Sequence, residues 1–306
     1  MEKIIIHEVG MRDGLQAEKE VVPTEQKINW IKKLAETGVN IIQAGSFVNP
    51  KKMPQMADTD ELFNYFSTKE NKLPGVALSG LVLNEKGLER GIVCGVEMFC
   101  MGVSASETHS QKNTGMTILQ ATDRIIAMAK SAMASDKIVQ VSVQSAFGCG
   151  YEGKISDERV LSLVSKFLDN GIKNISLADT AGHAMPDQIE RLFSAIFKLD
   201  SNVDCVCHLH NTYGLGLTNA YAAYRVGVRS FESSFAGLGG CPFTAIAAGN
   251  ISTEDLVHMF QNMNLRNDIH LDRLIAIAKE AADYFKRELP GVIHKTGKIP
   301  EISLHN

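Results

Sequence analysis

The chain of 306 residues is 44% hydrophobic and 22% charged, with a net charge of −4. That composition suits a globular protein with a sizeable core. The lack of a basic run or an aromatic-plus-basic stripe excludes a nucleic-acid partner, and no apolar run reaches the ~20 residues that a membrane span needs. No charged-then-apolar leader precedes the first strand. The six cysteines fall mostly in apolar runs (Cys94, Cys100, Cys205, Cys207), which predicts reduced thiols in a cytoplasmic protein.

Short apolar runs predict strands at 4–9, 39–44, 75–80, 96–101, 138–143, 174–177, 204–208 and 230–234. They suit parallel strands covered on both faces. Apolar residues at helical spacing lie between them. The segment 24–36 puts Ile28, Ile31, Leu34 and Ala35 on one face, and 117–134 follows the same rule. The segment 156–168 opens on Ser156 as N-cap and continues with Val160, Leu161, Val164 and Leu168. Segments 213–226 and 253–263 read alike. Eight strands with eight following helices predict an α/β fold, a (β/α)8 TIM barrel. One domain over 1–306 is expected, with the barrel at about 3–265 and an extra C-terminal helix and tail at about 270–306. The extra helix at 271–289 is also a candidate surface for a homodimer. An open doubly wound sheet fits less well, because Gly10-Met11-Arg12-Asp13-Gly14 lacks the third glycine of a phosphate fingerprint.

In a barrel the active site sits on the loops that follow the strands. Arg12 and Asp13 follow strand one, His208 ends strand seven with His210 two residues on, and Cys241 and Asn250 follow strand eight. Residues i and i+2 of extended backbone point the same way, so both imidazoles can face one ion. Closure makes strands one, seven and eight neighbours. Asp13, His208, His210 and Asn250 offer a carboxylate, two imidazoles and an amide without thiolate. That set favours a hard or borderline divalent ion: Mg²⁺ or Mn²⁺ with water in the remaining positions, with Zn²⁺ as the alternative. Each piece alone has an ordinary explanation, since Arg-Asp-Gly is commonly a turn and a lone cysteine a packed small hydrophobe. The signal lies in their co-location.

Six segments, Glu8-Val-Gly-Met-Arg-Asp-Gly-Leu-Gln16, Gly45-Ser-Phe-Val48, Tyr151-Glu-Gly-Lys154, Ser176-Leu-Ala-Asp-Thr180, His208-Leu-His-Asn-Thr-Tyr-Gly214 and Gly237-Leu-Gly-Gly-Cys-Pro242, resemble the 3-hydroxy-3-methylglutaryl-CoA lyase family. The glycine-rich cysteine loop is fairly specific to these lyases; the other pieces are shared with a wider superfamily of metal-dependent lyases and synthases. The resemblance implies cleavage of a 3-hydroxyacyl-CoA to acetyl-CoA and a keto acid. It implies Asp13, His208, His210 and Asn250 as metal ligands, Arg12 at the thioester carbonyl, Asp179 beside the substrate hydroxyl, and Cys241 as the acid/base of a mobile loop. Gln16, Ser46, Lys112 and Asn113 are the expected contacts of the acyl-CoA.

The chain departs from the family at the end of strand two. The lyases carry Ile-Glu-Thr-Thr-Ser-Phe there, and this chain has Ile42-Gln43-Ala44-Gly45-Ser46-Phe47. Gln43 keeps the reach of the glutamate without its charge, and the two small residues are expected to enlarge or reshape the pocket. Ala17, Asn211, Met11 and Gly150 are further differences. These changes point to a shifted substrate, such as citramalyl-CoA giving pyruvate, or a larger 3-substituted glutaryl-CoA ester. A condensing synthase and a non-catalytic relative are the competing readings.

Overall fold

The structure, a computed structural model, describes residues 3–240 and 249–300. Eight parallel strands close into a barrel in chain order, with β1 (Ile5–Glu8) pairing both β2 (Ile41–Ser46) and β8 (Ser230–Ser233). Between them run β3 (Ala77–Leu81), β4 (Met98–Ser104), β5 (Ile138–Gln144), β6 (Asn174–Asp179) and β7 (Asp204–Leu209). All eight expected strands are present. Several extend further at their C-terminal ends than the apolar runs did, because those ends carry polar side chains into the barrel mouth.

The outer ring is made by α1 (Thr24–Ala35), α2 (Thr59–Ser67), α3 (Glu85–Val93), α5 (Ile118–Met133), α6 (Asp157–Asp169), α7 (Pro186–Leu199), α8 (Gly216–Arg225) and α9 (Thr253–Asn262). A short α4 (Glu107–Thr114) is inserted after β4. Local sequence sets the helix starts. Ser156 accepts from the Arg159 amide, and Thr117 and Gln120 form a reciprocal capping box. No helix among the described residues is long and apolar enough to cross a membrane.

The extra helix α10 spans Leu271–Phe285, shorter than the 271–289 expected. Lys286 turns into the left-handed region at φ 50° and ends it. The apolar pattern runs on because Leu289 is buried by tertiary packing. The apolar face of α10 (Leu274, Ile275, Ile277, Ala278, Ala281) is covered within the chain. Trp30 of α1 meets Tyr284 edge-on and donates its ring N–H to Glu280. That face packs against α1 and the barrel, while Tyr284 of the same helix stays exposed. A last short helix, α11 (Ile293–Thr296), is pinned by the Asp255 carboxylate, which accepts the Val292 and Ile293 amides.

Candidate active site

The turn after β1 is wound tightly from Gly10 to Gly14 and carries Arg12 and Asp13 over the barrel mouth. Buried Glu8 fixes it. Its carboxylate accepts the amides of Gly10 (2.7 Å) and Phe235 (3.0 Å) and the Thr253 hydroxyl (2.5 Å), tying the first loop to the segment after β8. Burial raises the Glu8 pKa from 4.5 to about 7, against the pull of those hydrogen bonds. A folded-state pKa above the unfolded value means that this group's stabilisation is complete below about 4.5 and is lost as pH rises through about 7. Glu8→Gln is expected to flatten that decline. Urea unfolding at pH 5, 6, 7 and 8 checks it; an unchanged pH slope would contradict the assignment.

Asp13, His208 and His210 offer one ligand atom each, all within 4.8 Å of one another. The Asp13 Oδ2 atom lies 4.0 Å from His208 Nε2 and 3.8 Å from His210 Nε2. Both gaps are too long for hydrogen bonds, and two ligands about 2.1 Å from a shared ion can span them. Burial opposes ionisation of Asp13, yet the Arg12 guanidinium and the imidazoles hold its carboxyl well below the usual range. It is therefore an anion at neutral pH.

Asn250 joins this group from the other end of the chain. It forms an isolated bridge with His210, flanked by Asn211 N–H to Gly249 C=O and Ile251 N–H to Leu209 C=O. Its amide donates to Asp13 at 2.8 Å and to the Leu238 carbonyl at 3.2 Å. Its buried Oδ1 has no hydrogen-bond partner among the described residues. An orphaned buried oxygen beside a carboxylate and two imidazoles is what a cation site would use. Gly239 makes this packing feasible, because a Cβ there would stand 2.7 Å from the Asn250 amide nitrogen. The residues present fit a divalent cation.

A pocket of about 530 Å³ opens over this cluster. Arg12, Asp13, Gln16, Gln43, Asn113, His208 and His210 all line it. Arg12 donates from Nε to Gln43 Oε1 and from a terminal nitrogen to Asp13 Oδ1. Gln43 thus anchors the guanidinium as a neutral acceptor. The other residues expected at the site fall elsewhere. The Asp179 carboxylate is buried outside the lining and accepts the amides of His183 (2.7 Å) and Ala184 (3.1 Å); burial raises its pKa. Ser46 is buried outside the lining, and its amide donates to Thr59. Lys112 lies over the Tyr151 ring at 4.2 Å. Gly45 does not enlarge the pocket, because its missing Cβ makes room for Thr59. Cys241 lies outside the described residues; the preceding residue, Gly240, lines the pocket.

A buried polar layer under the ligands escaped the sequence reading. Glu232 of β8 accepts from His208 Nδ1 at 2.8 Å and from the Gln140 amide at 2.5 Å. His7 of β1 approaches it at 3.4 Å and meets Ser79 at 2.8 Å through its other nitrogen. Burial is the largest single influence and would raise the Glu232 pKa, but the hydrogen bonds and charges of His208, His7 and Gln140 together outweigh it and bring the pKa down to about 2. Burial lowers His7 to about 4, so His7 is neutral and serves as a dipole. With Nδ1–H committed to Glu232, the Nε2 lone pair of His208 is left for the Asp13 side. The available signal was a charged or titratable residue within a strand of apolar neighbours, as in Ser230-Phe-Glu-Ser233.

Residues 3–280 match a family model described as HMGL-like. Mitochondrial hydroxymethylglutaryl-CoA lyase of Macaca fascicularis is 38% identical over 89% of this chain and 83% of its own length. An (R)-citramalyl-CoA lyase from Chloroflexus aurantiacus is 34% identical over 98% of this chain and 96% of its own. The solved structure of an HMG-CoA lyase from Acinetobacter baumannii, in complex with coenzyme A and 3-methylmalate, superposes with a TM-score of 0.90 at 38% identity, covering 99% of this chain and 97% of that one.

Proposed function

This chain belongs to the HMGL-like family, and from that premise we propose how its barrel mouth works as a carbon–carbon lyase. The enzyme cleaves a 3-hydroxyacyl-CoA, hydroxymethylglutaryl-CoA or a close analogue, to acetyl-CoA and a keto acid. The relatives carry this activity in their names, and one relative's structure holds coenzyme A with a hydroxy diacid. The observation that carries the reading is the convergence of Asp13, His208 and His210 beside Arg12.

Asp13, His208, His210 and Asn250 would hold the divalent cation, Mg²⁺ or Mn²⁺. When bound, such an ion lowers the cost of the substrate alkoxide as a Lewis acid. Arg12, held by Gln43 and Asp13, presents its guanidinium to the thioester oxygen, where charge develops as the enolate departs. The hydroxyl proton passes to water in the open pocket, because the imidazoles that would hold the ion have no lone pair to spare, and the C2–C3 electron pair goes to the two-carbon piece. Cys241, next to Gly240, returns one proton to the enolate carbon; a thiol suffices because it delivers a proton and does not attack. Asp179 acts from behind the wall by holding the loop after β6. Gln16 and Asn113 face the acyl-CoA at the mouth, while Ser46 and Lys112 have no direct role in this reading. The proposal also takes residues 1–306 as one cytoplasmic domain.

The test is acetyl-CoA release from a panel of 3-hydroxyacyl-CoA esters before and after chelation. Removal of the metal is expected to lower turnover by at least about a hundredfold, with recovery on Mg²⁺ or Mn²⁺. Undiminished turnover in demonstrably metal-free protein would defeat the reading.

A further inference from the structure

The segment 290–296, with α11, packs against the turn Phe235–Gly237, which leads from β8 toward Cys241 and Asn250. The approach is close: a Cβ on Gly237 would stand 3.1 Å from the Gly291 nitrogen and 3.5 Å from the Asn250 carbonyl oxygen. Glu254 of α9 joins the two pieces. One carboxylate oxygen, Oε2, accepts the Ala236 amide at 3.0 Å, and the other, Oε1, meets Nδ1 of His294 at 3.0 Å. The Ala236 carbonyl in turn accepts the Gly291 amide at 3.0 Å. Glu254 and His294 are both buried. A Cβ on Gly291 would lie 2.5 Å from Glu254 Oε1 and 2.9 Å from His294 Nδ1, so the pair leaves no room for a side chain there.

The turn needs such a clamp. Ala236 lies at φ 58°, ψ 7°, in the left-handed region, where a residue with a Cβ stays only if its surroundings hold it. Two residues on, the Leu238 carbonyl accepts the Asn250 amide at 3.2 Å, and the same amide donates to Asp13 at 2.8 Å. Those two bonds set the direction of the other end of the Asn250 side chain, the buried Oδ1. An unbroken series of contacts therefore runs from His294 to a residue of the cation site.

Resting on the lyase reading above, we propose that His294 is a positioning residue for the cation, acting through Glu254, Ala236 and Leu238 to aim Asn250 Oδ1 at the side of Asp13, His208 and His210. It touches neither ion nor substrate. Without the imidazole, Glu254 Oε1 becomes a buried acceptor with no partner, a costly state that the carboxylate relieves by turning toward another donor. That turn withdraws the acceptor of the Ala236 amide. The left-handed residue then relaxes, the Leu238 carbonyl moves, and Asn250 loses one of the two bonds that orient it.

Two substitutions separate this role from a contribution to stability alone. His294→Leu keeps the bulk and removes the bond, whereas His294→Asn returns an amide N–H near the place of Nδ1. Calorimetric titration of the full 306-residue chain with Mn²⁺, beside thermal unfolding, reads the effect with no substrate present. The Mn²⁺ Kd is expected to rise about tenfold in His294→Leu and to come back within about threefold of wild type in His294→Asn. A folded His294→Leu protein with wild-type affinity, or equal losses in both variants, would overturn the proposal and leave the lyase reading intact. A wild-type protein that takes up Mn²⁺ but releases acetyl-CoA from no ester of the panel would sink the lyase reading and leave the affinity shift as the test of His294. A wild-type protein that takes up no Mn²⁺ ends both. Should His294→Leu fail to fold, Gly291→Ala replaces it with the same expected loss, because its methyl wedges the pair apart.

Discussion

Asp13→Asn is expected to cost about a thousandfold in acetyl-CoA release and to abolish tight Mn²⁺ binding. Among the described residues Asp13 is the carboxylate that clusters with His208 and His210, and Arg12 helps keep it charged. Asparagine preserves the shape and can still face Asn250, but it offers a neutral oxygen to a divalent ion. Cation stabilisation of an alkoxide is worth several kcal/mol, and each 1.36 kcal/mol is about a decade in rate. Calorimetric titration with Mn²⁺, run beside steady-state kinetics, separates lost ion binding from lost folding. Retention of wild-type affinity would remove Asp13 from the ligand set.

Arg12→Lys should lower kcat by about a hundred- to a thousandfold while Mn²⁺ affinity stays within a few-fold. The guanidinium bonds Gln43 through Nε and Asp13 through a terminal nitrogen, and its planar fork can direct a third edge at a carbonyl oxygen. An ammonium is a point charge on a flexible stem. It can neutralise Asp13, but it cannot bond Gln43 and remain aimed at the substrate. The split is the diagnostic: a fall in kcat with ion binding preserved marks a transition-state role. A loss confined to KM would mean that Arg12 only holds the ground state.

Much of this site could be read before any geometry was known. Arg12, Asp13, His208 and His210 occupy strand ends, and barrel closure alone brings strands one, seven and eight together. What could not be read depends on strand parity and on local turns. Glu232, His7 and Gln140 lie within strands, and only the register of the closed sheet shows that their side chains converge beneath His208. The family resemblance alone places Asp179 beside the substrate hydroxyl; the turn after it aims two backbone amides at its carboxylate. Gly45 looked like extra pocket space, but it faces Thr59. The uncharged Gln43 points to a shifted substrate, and its carbonyl oxygen keeps an anchoring bond to Arg12.

The amide of Asn250 reaches Asp13 across 237 positions of sequence. During synthesis Asp13 leaves the ribosome long before His208 and His210 of the β7 end, and Asn250 follows only after β8. The ligand set is complete only once β7 and the segment after β8 have closed against β1, and contacts of such long sequence separation are slow to form.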